Sequence, residues 1–145
     1  MKTAFTILLV FVVVLACGCT TQTPASSPVA TANTTIPDLT GIWSGTSIGN
    51  THVEGFVDYP TTLFNISAQK SQVFTGRKEY PRMDGMTHYE NFSGFLTTKG
   101  EIYESDDLGG IAIGTLTSPN SMELNYVEDG PDAKALIIRL TRQKG

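Results

Sequence analysis

After Leu39 no window of eleven or more residues carries clean helical periodicity. Short β-branched and aromatic runs take its place, alternating with polar residues and broken by Gly, Pro, Asn and Asp. This is the pattern of an all-β sandwich or barrel. Within 61–68, Phe64, Ile66 and Ala68 share one face while Asn65 and Ser67 share the other. Within 121–128, Met122, Leu124 and Tyr126 oppose Glu123 and Asn125. The pattern predicts eight strands, approximately 41–48, 61–68, 72–79, 89–98, 101–106, 110–117, 121–128 and 133–142. The last has Leu136, Ile138 and Leu140 on one face and Ala135, Ile137 and Arg139 on the other. Its apolar centre on both faces describes either a covered strand or a subunit contact.

The connections suggest how the strands are ordered. Tight turns at Lys70-Ser71, Lys99-Gly100 and Ser118-Pro119-Asn120 follow the second, fourth and sixth strands. The stretches GNTHVEGFVDYP and YPRMDGMTH, after the first and third, read as long loops, although HVEGFVDYP can also extend a strand. In an up-and-down meander, connections alternate between two ends. The tight turns would then close a floor and the longer loops would rim a mouth. A weak repeat, Trp43-Ser44-Gly45, Phe74-Thr75-Gly76 and Phe92-Ser93-Gly94, sets an aromatic and a glycine on one strand face. Closed barrels need such glycine kinks. The expectation is one eight-stranded antiparallel up-and-down β-barrel over 39–145. Trp43, Phe64, Phe74, Phe92, Tyr103 and Tyr126 would point inward. There they would either line a cavity for a small apolar ligand or fill the lumen themselves.

The N-terminal quarter reads differently. Lys2 precedes an apolar run from Ile7 to Ala16 and then Ala16-Cys17-Gly18-Cys19. The run is too short for a spanning helix, which needs roughly 20 apolar residues, and suits a signal h-region of about 7–15. Residues 1–18 are expected to be an export signal and the remainder to lie outside the cytoplasm. Both cysteines fall in this segment and none in the barrel, so no disulfide staples the expected fold. The segment resembles the lipobox of envelope lipoproteins, in which small residues precede a lipidated cysteine. That resemblance implies lipidation at Cys19, with Cys17 as the alternative, and a membrane as partner through the anchor. A lasting anchor implies a two-chain lipid. Residues 19–38 are rich in Thr, Ser and Pro and carry no charge from Thr20 to Pro37, the composition of a disordered tether. Extended, it would reach at most about 55 Å. Asn33, Asn65 and Asn91 each begin a glycosylation sequon, relevant only in a host that glycosylates exported proteins.

Apart from Lys2 every charge lies at Asp38 or later, which leaves 14 acidic and 9 basic residues there. No basic stripe exists, so nucleic acid is not expected as a partner. No nucleophile elbow, Walker sequence or dinucleotide fingerprint is present, and no cofactor is expected. His52 and His88, with acidic residues at the same end, are the weak candidates for a metal.

Gly41-Ile42-Trp43 on the first strand, with Arg139 or Arg142 on the last, resembles the calycins, the superfamily of lipocalins, fatty-acid-binding proteins and avidins. The resemblance implies that Trp43 sits at the closed end with an arginine packed over it as a structural pair. The chain departs from lipocalins in lacking a C-terminal helix and a domain disulfide. The functional expectation is an envelope-anchored, non-enzymatic lipoprotein whose barrel binds a small apolar ligand. The alternative is a solid-core barrel serving as an envelope protein-interaction or inhibitor module.

Overall fold

The computed structural model describes residues 35–81 and 85–144. Eight strands, β1 (Gly41–Thr51), β2 (Gly55–Lys70), β3 (Val73–Pro81), β4 (Thr87–Leu96), β5 (Glu101–Asp106), β6 (Ile111–Ser118), β7 (Ser121–Glu128) and β8 (Lys134–Arg142), follow one another along the chain. Each pairs antiparallel with its sequence neighbour, and β8 returns to pair with β1, closing the barrel. Closure gives every strand two neighbours, although Gly55–Thr62 of β2 lie beyond the β2–β3 ladder and Thr87–Asn91 of β4 beyond the β4–β5 ladder.

The long first loop of the sequence reading is instead a hairpin. β1 runs on to Thr51 and β2 begins at Gly55, so only residues 52–54 form the turn. Register pairs Asn50 with Phe56 and Ser47 with Tyr59, then shifts beside Gly45 and Ser47. Pro60 lies opposite that shift, where a missing backbone N–H is tolerated. The bulge changes which residues of β2 face inward, which hides the strand from a strict two-residue period. All connections are therefore short, and the two ends differ less in loop length than in what fills them. The turns at 71–72, 97–100 and 119–120 lie at one end, the floor. Those at 52–54, 107–110 and 129–133 lie at the other, the mouth, where β3 also ends and β4 begins.

The floor is plugged by the segment leading into β1. Leu39 is fully buried, its N–H donates to Gln69 Oε1 (2.7 Å), and the Gln69 amide donates back to the Pro37 carbonyl (2.9 Å). Trp43, also fully buried, donates its indole N–H to the Leu39 carbonyl (2.8 Å). The Arg142 guanidinium lies 4.8 Å from the Trp43 ring centre and donates to the Asp38 carbonyl. Such a cation over an indole face contributes roughly 0.5–2 kcal/mol, depending on desolvation. Of the two arginines anticipated for this place, Arg139 does not take it. It points outward and pairs with Glu123 at 2.8 Å, because Leu140 faces inward and its alternate neighbour Arg142 shares that side.

Above the floor the aromatic–glycine repeat finds its physical reason. Phe74 lies opposite Gly94 and Gly76 opposite Phe92 across the β3–β4 ladder. A Cβ on Gly94 would meet Phe74 Cζ at 2.6 Å, and one on Gly76 would meet Phe92 Cζ at 2.7 Å. Each ring thus lies over the bare backbone of the facing strand. Phe92 also packs against Phe64 (centroids 5.2 Å) and edge-on to Phe74 (6.3 Å).

Two substitutions test this packing by urea denaturation. Gly94→Ala is expected to lower stability by about 1–3 kcal/mol through overpacking. Trp43→Ala should cost about 3–5 kcal/mol through the cavity it leaves at the floor. A Trp43→Ala protein as stable as the parent would contradict the structural role given to the floor pair.

Candidate functional site

Strand alternation carries the inward faces of β3, β4, β5, β7 and β8 from apolar residues at the floor to charged ones at the mouth. β3 presents Phe74, Gly76, Lys78 and Tyr80 in turn; β4, running back, presents Glu90, Phe92, Gly94 and Leu96. β5 contributes Ile102, Glu104 and Asp106, and β7 contributes Met122, Leu124, Tyr126 and Glu128. Lys78 and Glu90 are directly opposed across the β3–β4 ladder. Lys78, Glu90 and Glu104 are 3% or less exposed, and Asp106 is 8% exposed, so four ionisable side chains are buried together.

One ammonium serves three carboxyl groups. Lys78 Nζ stands 2.5 Å from Asp106 Oδ2, 2.8 Å from Glu90 Oε2 and 3.9 Å from Glu104 Oε1. It also lies 4.0 Å from the centre of the Tyr126 ring. The three carboxyls are not equally served. Asp106 accepts from Tyr126 (2.8 Å) and, through Oδ1, from the backbone N–H groups of Leu108 (3.0 Å) and Gly110 (2.8 Å). Glu90 accepts from the Tyr80 hydroxyl, and its contact with Lys78 is an ion pair without hydrogen-bond alignment. Neither oxygen of Glu104 has a hydrogen-bond partner.

These surroundings separate the carboxyls by acidity. Burial pushes Glu104 up to about 7; Lys78 opposes this, and the negative charges of Asp106 and Glu90 add to it. Burial also acts against the Asp106 carboxylate, but the Lys78 hydrogen bond and charge, with Tyr126 and Gly110 as donors, bring it down to about 2. Burial pulls the Lys78 ammonium toward neutrality, yet the carboxylates outweigh it and hold the group above its ordinary value. Tyr126 is pushed up by burial and by donating to Glu128 and Asp106.

Nearer the mouth a second set of contacts continues the network. Lys134 pairs with Glu128 (2.9 Å) and Asp132 (3.7 Å), and its ammonium lies 5.7 Å from the Tyr80 ring centre. The single Tyr126 hydroxyl proton is shared between Asp106 and Glu128 (2.6 Å), Tyr59 donates to Glu54 (2.6 Å), and the hydroxyls of Ser47 and Thr62 are bonded at 2.7 Å. Between these groups remains a cavity of about 30 Å³, edged below by Phe64 and Ile138. A smaller one of about 10 Å³ lies beneath Glu104, among Phe64, Phe74, Phe92 and Leu124. A buried water needs about 10–15 Å³ measured this way, so the upper space suits about two waters.

The residues anticipated for a cavity divide. Phe64, Phe74, Phe92 and Tyr126 do face inward, and all are buried. Tyr103 does not: it lies on the outer face, stacked on Phe95 with ring centroids 4.9 Å apart. Its neighbours Ile102 and Glu104 take the inward positions of β5. His88 is in β4 opposite Tyr80, stacked on that ring, and not on a mouth loop. His52 is in the β1–β2 turn, its backbone N–H bonded to the Ala133 carbonyl. Among the described residues no group of three or more His, Cys, Asp or Glu is arranged to hold a metal. Cys17, Cys19 and Asn33 lie outside the described residues; Asn65 and Asn91 are exposed, and the Asn91 amide donates to Asp107 (2.9 Å).

No protein-family model matches the chain, and no curated protein matches it. Solved structures do match in fold. A redesigned β-barrel aligns with a TM-score of 0.56 at 16% identity, covering 73% of this chain and 92% of that one. A protein of unknown function from Bacteroides ovatus aligns with a TM-score of 0.56 at 12% identity, covering 71% of this chain and 41% of that one. The protein EF1p2_mFAP2b, solved bound to DFHBI, aligns with a TM-score of 0.50 at 18% identity, covering 72% and 94%. The chain is an eight-stranded β-barrel similar in fold to these.

The two shifted carboxyls pull stability in opposite directions. Glu104, raised above its unfolded value of 4.5, contributes stability that is complete below about 4.5 and lost as pH rises through about 7. Asp106, lowered from 3.8, contributes stability present above 3.8 and lost as pH falls through about 2. Urea denaturation should therefore show the chain about 2–3 kcal/mol less stable at pH 8 than at pH 5. Glu104→Gln, which cannot ionise, should remove most of that difference.

Proposed function

We propose that this chain is an extracytoplasmic, lipid-anchored, non-enzymatic module that acts through the outside of its barrel and not through a ligand held within. The observation that carries this reading is the filled lumen. About 30 Å³ remains between the mouth groups, against roughly 300–1,000 Å³ in ordinary small-molecule sites. EF1p2_mFAP2b holds DFHBI, but in this chain the upper lumen is occupied by Lys78, Glu90, Asp106 and Tyr126. An apolar ligand entering there would have to displace paired charges, which costs several kcal/mol per ion.

The outer surface is uneven in a way that suits a docking role. Across the ladders Phe95, Tyr103 and Ile113 lie side by side, and on the far side of Asn125 the row continues through Ile137 to Ile48. All five are partly or well exposed, and Phe56, nearer the mouth, is 92% exposed. The β2–β4 side instead presents Asn65, Arg77 and Asn91 in register. Contiguous exposed apolar surface rimmed by polar residues marks interaction sites. Both barrel sequons lie on the polar side, so sugars at Asn65 or Asn91 would leave the apolar row clear.

Address and docking are tested together in the producing cell. The chain is expected to fractionate with membranes, to begin at a lipid-modified Cys19, and to be released by Cys19→Ser. A photo-crosslinking residue replacing Ile113 or Ile137 should trap a protein partner, and one replacing Arg77 or Asn91 should not. Equal trapping from both sides, or an unmodified N-terminal segment, would overturn the reading.

A further inference from the structure

We propose that Glu104 is a proton-operated switch which, through Lys78 and Asp106, sets the conformation of the β5–β6 turn at the barrel mouth. The geometry begins with an imbalance: three carboxyl groups converge on a single ammonium. Asp106 is the best served, by Lys78, by two backbone N–H groups and by Tyr126, whose single hydroxyl proton it shares with Glu128; Glu90 accepts from Tyr80 through one oxygen and forms an ion pair with Lys78 through the other. Glu104 is 3% exposed, both of its oxygens are without hydrogen bonds, and it faces the small apolar void above the floor. An ionised carboxylate in that position would be uncompensated, so the proton the cluster needs resides there.

The charged and titratable groups around Glu104 come from few elements. β3 supplies Lys78, with Tyr80 acting through Glu90. β4 supplies Glu90, β5 supplies Asp106, and β7 supplies Tyr126, itself tied to Glu128. Apolar Phe64 and Ile66 of β2 and Met122 and Leu124 of β7 line the same void, and Ala112 is its ladder partner in β6; none of these can offset a second negative charge.

When Glu104 releases its proton to solvent, its carboxylate competes for the Lys78 ammonium now 3.9 Å away. A charged hydrogen bond needs about 2.7–2.9 Å, so a movement of roughly 1 Å along the flexible lysine stem suffices. That movement draws the ammonium off Asp106, whose 2.5 Å contact is the closest Lys78 makes. Asp106 is also the residue that shapes the turn. Its Oδ1 holds the N–H groups of Leu108 and Gly110, and its backbone closes the loop with Gly110. A Cβ on Gly110 would collide with the Tyr126 hydroxyl and the Asp106 carboxylate, so the turn backbone is packed directly against both side chains. Protonated Glu104 keeps the turn fixed, and ionised Glu104 loosens it. A use for this in sensing external pH rests on the extracytoplasmic reading; the switch itself does not.

The test uses the full chain in detergent, with NMR recording the Glu104 side-chain carboxyl carbon and the Leu108 and Gly110 amides from pH 5 to 9. The carboxyl should titrate with a midpoint near 7, and both amides should shift with that same midpoint. In Glu104→Gln the two amides should lose the transition. A Glu104 midpoint near the ordinary 4.5 would overturn the proposal, as would amides that stay unmoved while Glu104 titrates. Amides that still titrate in Glu104→Gln would also overturn it. The unmodified chain alone decides the first two outcomes, whatever the variant's stability, and none depends on where the protein resides in the cell.

Discussion

Closing eight strands into a barrel leaves a lumen only about as wide as the side chains that point into it. Everything else in this molecule follows from how that narrow space is occupied. At the floor the space is taken by Leu39, Trp43 and the chain's last strand. In the middle, Phe74 and Phe92 fit only because the residues facing them are glycines. Toward the mouth the filling changes character, from aromatic rings to an ion cluster built around Lys78. A barrel filled this way spends its interior on its own packing.

The ion cluster is an unusual way to fill a lumen. Burying charges is costly unless each is paired and hydrogen-bonded, and replacing such clusters by apolar side chains is often neutral or stabilising. Here Asp106 is paired and hydrogen-bonded, Glu90 is hydrogen-bonded through one oxygen and ion-paired through the other, and Glu104 has neither oxygen hydrogen-bonded. A core under pressure only for stability would place an apolar residue at position 104, where Phe74, Phe92 and Leu124 already form the surroundings. The acid at position 104 is the observation that sets the cluster apart from packing material.

Much of the barrel was legible in the sequence, because alternation is strong where one face is apolar. The strand at 121–128 has its expected bounds, and so does 101–106. The β1–β2 hairpin was less legible because Pro60 and the adjacent bulge shift the phase midway. The floor arginine was decidable in principle: Arg142 shares the phase of Leu140, whereas Arg139 shares that of Ile137. Tyr103 went to the wrong face because hydrophobicity favours a tyrosine over glutamate inside. In β5 that preference loses to Ile102, whose inward position fixes Glu104 and Asp106 on the same side. The ion cluster was hidden for the same reason, since alternating patterns assign charges to solvent. The missed signal was spacing: Lys78 lies four residues from Phe74, and Glu90 two from Phe92, on faces already known to point inward.

A lumen filled by its own side chains leaves about 30 Å³ free near the mouth, too little for a small-molecule ligand. Native mass spectrometry of the chain purified from the cells that make it tests this directly. The expected result is the mass of the polypeptide, with its lipid where anchored, and no further mass lost on denaturation. A small molecule of a few hundred daltons that stays bound in the native spectrum and is released on unfolding would contradict it.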